Sequence, residues 1–153
     1  MNKKQNILVT GGAGYIGSHI VELLVKIKAN IIIIDSLVTG HKKLLNKKAI
    51  FIKEDIRNKT ALTQIINNYE INSIIHLAGS LNVSEAEKNK KKYYKNNVEG
   101  TINLVNSCKN SSVKNIIFSS SCSIYGNVQG AVNEKKKPNP QGYYALTKYK
   151  AEE

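Results

Sequence analysis

Tyr144 and Lys148 stand four residues apart in Tyr144-Ala145-Leu146-Thr147-Lys148, the separation that brings two side chains to one face of a helix. A phenol ionises near pH 10 and is a weak base at neutral pH, but an ammonium one turn away favours the phenolate and makes proton transfer practicable. Of the adjacent pair Tyr143 and Tyr144, only Tyr144 has this spacing to Lys148. An exposed cation beside an aromatic ring would give the same pattern without chemistry. Ser119-Ser120-Ser121 supplies hydroxyls that could bond the same substrate oxygen as the tyrosine, although a serine run also serves a loop that satisfies its own backbone.

A second group is suited to an anion. Thr10 to Gly17 reads TGGAGYIG, directly after the apolar run Ile7-Leu8-Val9. Gly11 and Gly12 permit a tight turn out of a strand, Gly14 leaves the backbone open to phosphate oxygens, and Gly17 lets the next helix pack close. The helix N-terminus then presents unpaired N–H groups and a positive dipole end. Asp35 closes the next apolar run about 18 residues after Gly17, near the spacing of the acid that accepts from a ribose 2′-hydroxyl. Without each other, the loop would be a structural turn and Asp35 a solvated carboxylate.

Positioning these residues requires alternating elements. Short β-branched runs predict strands at Asn6 to Thr10, Asn30 to Asp35, Ala49 to Lys53, Ser73 to Leu77 and Asn115 to Ser119, all buried. Helical spacing appears in Ile16-Ile20-Leu23-Leu24-Ile27, in Leu62-Ile65-Ile66-Tyr69 and in Tyr94-Val98-Ile102-Val105. Residues 40–48 leave room for a short helix or a loop. Pro138 and Pro140 bracket a turn before a last helix that starts near Gln141 and still runs at Glu153. The alternation predicts a parallel sheet with right-handed crossovers and helices on both faces. Five strands are visible where a complete doubly wound sheet usually has six.

The chain has 153 residues and a formal charge of +12, with 23 Lys and Arg against 11 Asp and Glu. That length allows one real core. The charge excess is lysine, with Arg57 the single arginine, and Lys, Asn and Ile are used heavily throughout, so source composition accounts for it better than nucleic acid does. Lys90-Lys91-Lys92 and Lys135-Lys136-Lys137 read as solvated faces. Cys108 and Cys122 have no paired-ligand spacing, and His19, His41 and His76 are scattered, so neither a disulfide framework nor a metal site is expected. No apolar stretch is long enough to suggest a membrane span, and no signal peptide is expected.

Taken together, TGGAGYIGSH at 10–19, the strand end at Asp35, EDIR at 54–57, HLAG at 76–79, YYKNNVEGT at 93–101, VKNIIFSSSCSIYG at 113–126 and YALTK at 144–148 resemble the extended short-chain dehydrogenase/reductase family. The resemblance covers almost the entire chain and is closest to the UDP-hexose 4-epimerases of that family. It implies an α/β fold with a Rossmann-like doubly wound parallel sheet, residues 1–153 forming an NAD-binding domain that stops before a C-terminal substrate lobe. By the same resemblance Gly11, Gly14, Tyr15, Ile16 and Gly17 meet the pyrophosphate, Asp35 and Ser36 the adenosine ribose, and Asp55 and Ile56 the adenine. Leu77, Ala78, Gly79 and Asn96 would line the rest of the NAD groove. Ser121 would be the catalytic hydroxyl and Tyr144 the acid/base, both meeting substrate, with Lys148 on the nicotinamide ribose.

The implied reaction is inversion at C4 of a UDP-hexose through a 4-keto sugar, with NAD regenerated, little activity in this length of chain alone, a homodimer at full length, a cytoplasmic location, and no nucleic-acid, membrane or metal partner. Alternatives are a related N-acetylhexosamine or uronate epimerase, a decarboxylase, or a non-catalytic NAD-binding module. Dehydratases fit less well, because Ser121-Cys122-Ser123 lacks their acidic residue. Two positions depart from the family pattern: Leu81 stands where a lysine is usual, and Gly142-Tyr143 where a small residue and proline are usual.

Overall fold

The computed structural model describes residues 4–153, which form two compact units. The first comprises the described residues up to Ala78 together with Asn103–Ser119; the second comprises Gly79–Ile102 and Ser120–Glu153.

In the first unit lie five strands, β1 (Asn6–Thr10), β2 (Asn30–Asp35), β3 (Ile50–Lys53), β4 (Ser73–His76) and β5 (Asn115–Phe118). They form one sheet in the order β3-β2-β1-β4-β5, every neighbour parallel. Helices α1 (Tyr15–Lys26) and α2 (Lys59–Asn68) supply crossovers, with a 3₁₀ turn at Lys42–Leu44 in the segment between β2 and β3. The apolar runs are continuous because residues of alternate parity bury on opposite faces. Leu8, Ile32, Ile34 and Ile74 pack with Leu62, Ile65, Ile66 and Leu104 on one face. Ile7, Val9, Ile31 and Ile33 pack with Val21 and Leu24 on the other.

Each predicted strand is present, with ends shifted by at most one residue. β3 and β5 correct the expectation of burial throughout. They are the two sheet edges, and Ile50 is 49% and Ile117 63% exposed. An edge strand with one paired side can be as β-branched as a central one, so composition alone does not separate the two.

The second unit is built from short elements: α3 (Val83–Lys88), α4 (Lys90–Tyr93), a π-helical turn at Tyr94–Glu99, the start of α5 (Gly100–Ser107), a 3₁₀ turn at Cys122–Tyr125, and α6 (Tyr143–Glu152). Asn82 caps α3 by accepting from the Glu85 amide. Tyr93 is buried and donates to Glu85, and burial with that carboxylate pushes its phenol up to about 12. The periodicity from Tyr94 to Val105 predicts one helix, whereas the structure widens its first part to a π turn. α6 packs against that turn, α3 and the Cys122–Tyr125 turn.

Candidate active site

The sheet order reverses at β1, which has β2 on one side and β4 on the other. A crevice at such a point, beyond the carboxyl ends of the strands, is where open α/β sheets bind ligands. The glycine loop leaves β1 there and Leu77-Ala78 leaves β4. Thr10 joins the two: its Oγ1 accepts from the amides of Leu77 and Ala78 at 3.3 Å each and lies 2.7 Å from His76 Nδ1. With its lone pairs used by those amides, the Thr10 hydroxyl donates to His76, whose Nδ1 is then the acceptor. The segments are also pressed together. A Cβ on Gly11, whose φ is +73°, would fall 2.8 Å from the Ala78 nitrogen, and one on Gly17 would fall 2.2 Å from the Gly11 carbonyl oxygen.

The start of α1 has the features of an anion cradle. Gly14 is its N-cap, no side chain caps it, and no carboxylate lies in its first turn. Its leading N–H groups therefore face no anionic side chain of the helix itself. Tyr15 is 78% exposed and Ile16 is also exposed. Asp35 ends β2 and is 8% exposed. Its Oδ2 accepts from the Ala13 amide at 3.0 Å and its Oδ1 from Leu37 at 2.8 Å, which fixes the carboxylate against the glycine loop. Each oxygen keeps a second lone pair. Ser36 follows, its Oγ 3.5 Å from the Val38 amide.

Asp55 and Ile56 differ from one another. Ile56 is buried in the core beside Leu62 and Ile66. Asp55 is clamped by Arg57, which donates from Nε to Oδ1 at 2.9 Å and from Nη2 to Oδ2 at 2.6 Å. That guanidinium holds the Asp55 carboxyl below the usual range.

In the second unit, Ser121 caps the Cys122–Tyr125 turn: its Oγ accepts from the Ser123 amide at 3.2 Å and lies 2.7 Å from the Ser123 hydroxyl. If Ser123 is the donor, the Ser121 proton is free for another oxygen. Tyr144 and Lys148 lie one turn apart on α6, and α6 packs on the turn that Ser121 caps. Lys148 is 6% exposed, and burial pulls it down to about 8 against the opposing effect of Glu152. Asn96 donates to Ser80 Oγ at 3.0 Å, beside Gly79.

Sequence reasoning did not single out four positioning residues, Asn97, Thr147, Gly40 and Glu87. Asn97, 3% exposed in the π turn, accepts from the Ser80 amide at 2.7 Å and donates to the Ser80 carbonyl at 3.1 Å and to Thr147 Oγ1 at 3.2 Å. Thr147 in turn donates to the Tyr144 carbonyl at 2.7 Å. Gly40 makes room for Asp35, because a Cβ there would sit 2.6 Å from its Oδ1. Glu87 accepts from the Tyr143 amide. A signal existed for Asn97, inside the quoted YYKNNVEGT run, and for Thr147, inside YALTK.

The sequence pattern of the NAD dependent epimerase/dehydratase family matches residues 7–153. The chain belongs to that family. It is 42% identical over 142 residues to the bifunctional protein GAL10 of Candida maltosa, covering 88% of this chain and 93% of that one. It is 39% identical over 143 residues to UDP-glucose 4-epimerase of Lactobacillus helveticus, covering 93% of this chain and 43% of that one. The crystal structure of UDP-glucose 4-epimerase from Brucella ovis in complex with NAD superposes with a TM-score of 0.92 at 38% identity, covering 97% of this chain and 46% of that one. The chain thus spans about half the length of the solved relative. Family membership agrees with the Rossmann-like parallel sheet observed here. Among the described residues no cluster of His, Cys, Asp and Glu could hold a metal, and no helix is long and apolar enough to cross a membrane.

Proposed function

We propose that this chain is the cofactor-holding and proton-transferring part of an enzyme that inverts C4 of a UDP-hexose, interconverting UDP-glucose and UDP-galactose through a 4-keto sugar. The observation that carries the reading is Lys148, a cation kept almost fully buried one helical turn after Tyr144 despite the cost of burial.

The first unit fits NAD. The close-approach loop at Gly11 and Gly17 and the uncapped start of α1 suit a pyrophosphate at Tyr15 and Ile16. Asp35 and Ser36 would hold the adenosine ribose, and a carboxylate that accepts from a 2′-hydroxyl repels a 2′-phosphate, favouring NAD over NADP. Asp55 and Ile56 would flank the adenine and Leu77 and Ala78 the remainder of the dinucleotide, a role the resemblance also gives to Gly79 and Asn96 of the second unit. When bound, NAD supplies the hydride acceptor and donor and ends each turnover unchanged.

The second unit handles the proton. Tyr144 takes it from the C4 hydroxyl and returns it after the sugar has turned over. Ser121 donates a hydrogen bond to the same oxygen, its position fixed by the Ser123 amide. Lys148 provides a buried positive charge one helical turn from the phenol and a donor for the nicotinamide ribose. Because the 153 residues span about half the solved relative, we expect them alone to bind NAD and to turn over little.

Calorimetric titration of the chain should give clear NAD binding and weaker NADP binding. The full-length form incubated with UDP-galactose should yield UDP-glucose, identified by its anomeric proton resonance, with UDP-N-acetylglucosamine run in parallel. Equal affinity for NAD and NADP would contradict the role of Asp35, and NAD binding without conversion of any UDP-hexose by that form would favour a non-catalytic module.

A further inference from the structure

Helix α6 begins without a cap of its own. Its N-cap is Gly142, at φ +83° and ψ 160°, which offers no side chain to the orphan amides of the first turn. The first helical residue is Tyr143, and its amide donates to Oε1 of Glu87, which lies on α3. A carboxylate from another helix therefore does the work that a Ser, Thr or Asp at the N-cap does elsewhere, and it also meets the positive end of the helix dipole. One further contact holds this junction: Lys90 Nζ, at the start of α4, stands 5.5 Å from the centre of the Tyr143 ring. Gly142 leaves room for the carboxylate, since a Cβ there would stand 3.1 Å from Glu87 Oε1. The first intrahelical bond, Leu146 N–H to the Gly142 carbonyl at 3.1 Å, starts from this anchored residue.

We propose that Glu87 is a positioning residue for Tyr144: by accepting the first amide of α6 from α3 it fixes where the helix starts, and so sets the phenol on its first turn. Glu87 is exposed and touches neither cofactor nor sugar in the scheme above; it acts through the backbone of Tyr143. The role rests on the reading of Tyr144 as acid/base, but its structural core does not need turnover to be measured. The demand for an acceptor at this point arises because Tyr143 has an amide hydrogen. A proline at the first helical position has none and is preset at the right φ, so it would remove the demand.

This gives a double-mutant cycle. Glu87→Ala should raise the hydrogen-exchange rate of the Leu146 amide about tenfold or more and shift the ring resonances of Tyr144 in a chain carrying ¹³C-labelled tyrosine. Glu87→Gln, which keeps an acceptor oxygen but no charge, should recover most of both. In the background of Tyr143→Pro, Glu87→Ala should change neither reading. In the full-length form, the same Glu87→Ala substitution should lower kcat for UDP-galactose more than it raises KM, with Tyr143→Pro restoring kcat. Unchanged Leu146 exchange and Tyr144 resonances in Glu87→Ala, or an equal loss in the Tyr143→Pro background, would overturn the proposal. Normal exchange effects without any UDP-hexose turnover would leave the cap intact and count against the assignment of Tyr144 as acid/base.

Discussion

The two units hold their candidate site residues by different means. In the first, the cradle is main chain: Gly11 against the Ala78 nitrogen, Gly17 against the Gly11 carbonyl, and the uncapped start of α1, all carried on strands whose neighbours are fixed by ladder hydrogen bonds. In the second, position is set by side chains reaching between short helices: Asn97 to Ser80 and Thr147, Ser121 to Ser123, Glu87 to Tyr143. A main-chain cradle tolerates almost any side chain that leaves it room, but it fails when a single methyl group is added. A side-chain network has the opposite sensitivity. It withstands small volume changes and fails when one polar partner is removed.

The strongest way to break this contrast is Gly17→Ala. Its new methyl would meet the Gly11 carbonyl at 2.2 Å, a backbone atom that cannot swing aside as a side chain can. We expect NAD affinity to fall by about 100-fold or more, equivalent to about 3 kcal/mol, with a drop in thermal stability as the loop shifts. Calorimetry and a melting curve measure both. Ordinary NAD affinity in this variant would remove the main-chain account of the first unit.

A smaller effect sharpens the account of the second unit. Lys148 is pulled down to about 8 by burial, whereas the unfolded chain would hold that proton to about 10.5. Between those values the unfolded state binds more protons than the folded one, so this group makes folding more favourable as pH rises from about 8 to about 10.5. Below pH 8 its burial cost is fully present. Relative to Lys148→Met, the unmodified chain should therefore be less stable at pH 7, by about 3 kcal/mol, with the gap closing toward pH 10.5. Urea unfolding of both proteins across that range reads it. A gap that stayed constant with pH would mean that Lys148 is not held in a desolvated position.

The same contrast explains what could be read from the chain itself. The strands were legible because parallel ladders buried on both faces demand continuous β-branched runs, as in Ile31-Ile32-Ile33-Ile34. The glycine loop and Asp35 were legible because a close approach and a strand end leave marks at fixed spacing. Tyr144 and Lys148 were visible through helical periodicity. The exposure of β3 and β5, the α3 helix and the π turn were not, since edge position and the i→i+5 register depend on partners distant in sequence. The cap from Glu87 lies 56 residues from the amide it serves, and no local pattern encodes such a pairing. Gly142-Tyr143, noticed as a departure, acquires its physical meaning only from that partner.

The central claim is that the first unit's main chain holds NAD while the second unit's Tyr144 moves the proton. Tyr144→Phe in the full-length form separates the two, since it keeps the ring and removes the hydroxyl. With NAD affinity and UDP-galactose turnover measured on one preparation, the account predicts affinity within about twofold of the unmodified protein and turnover reduced by about 10²–10⁴-fold. Turnover near the unmodified rate, with NAD bound, would contradict it.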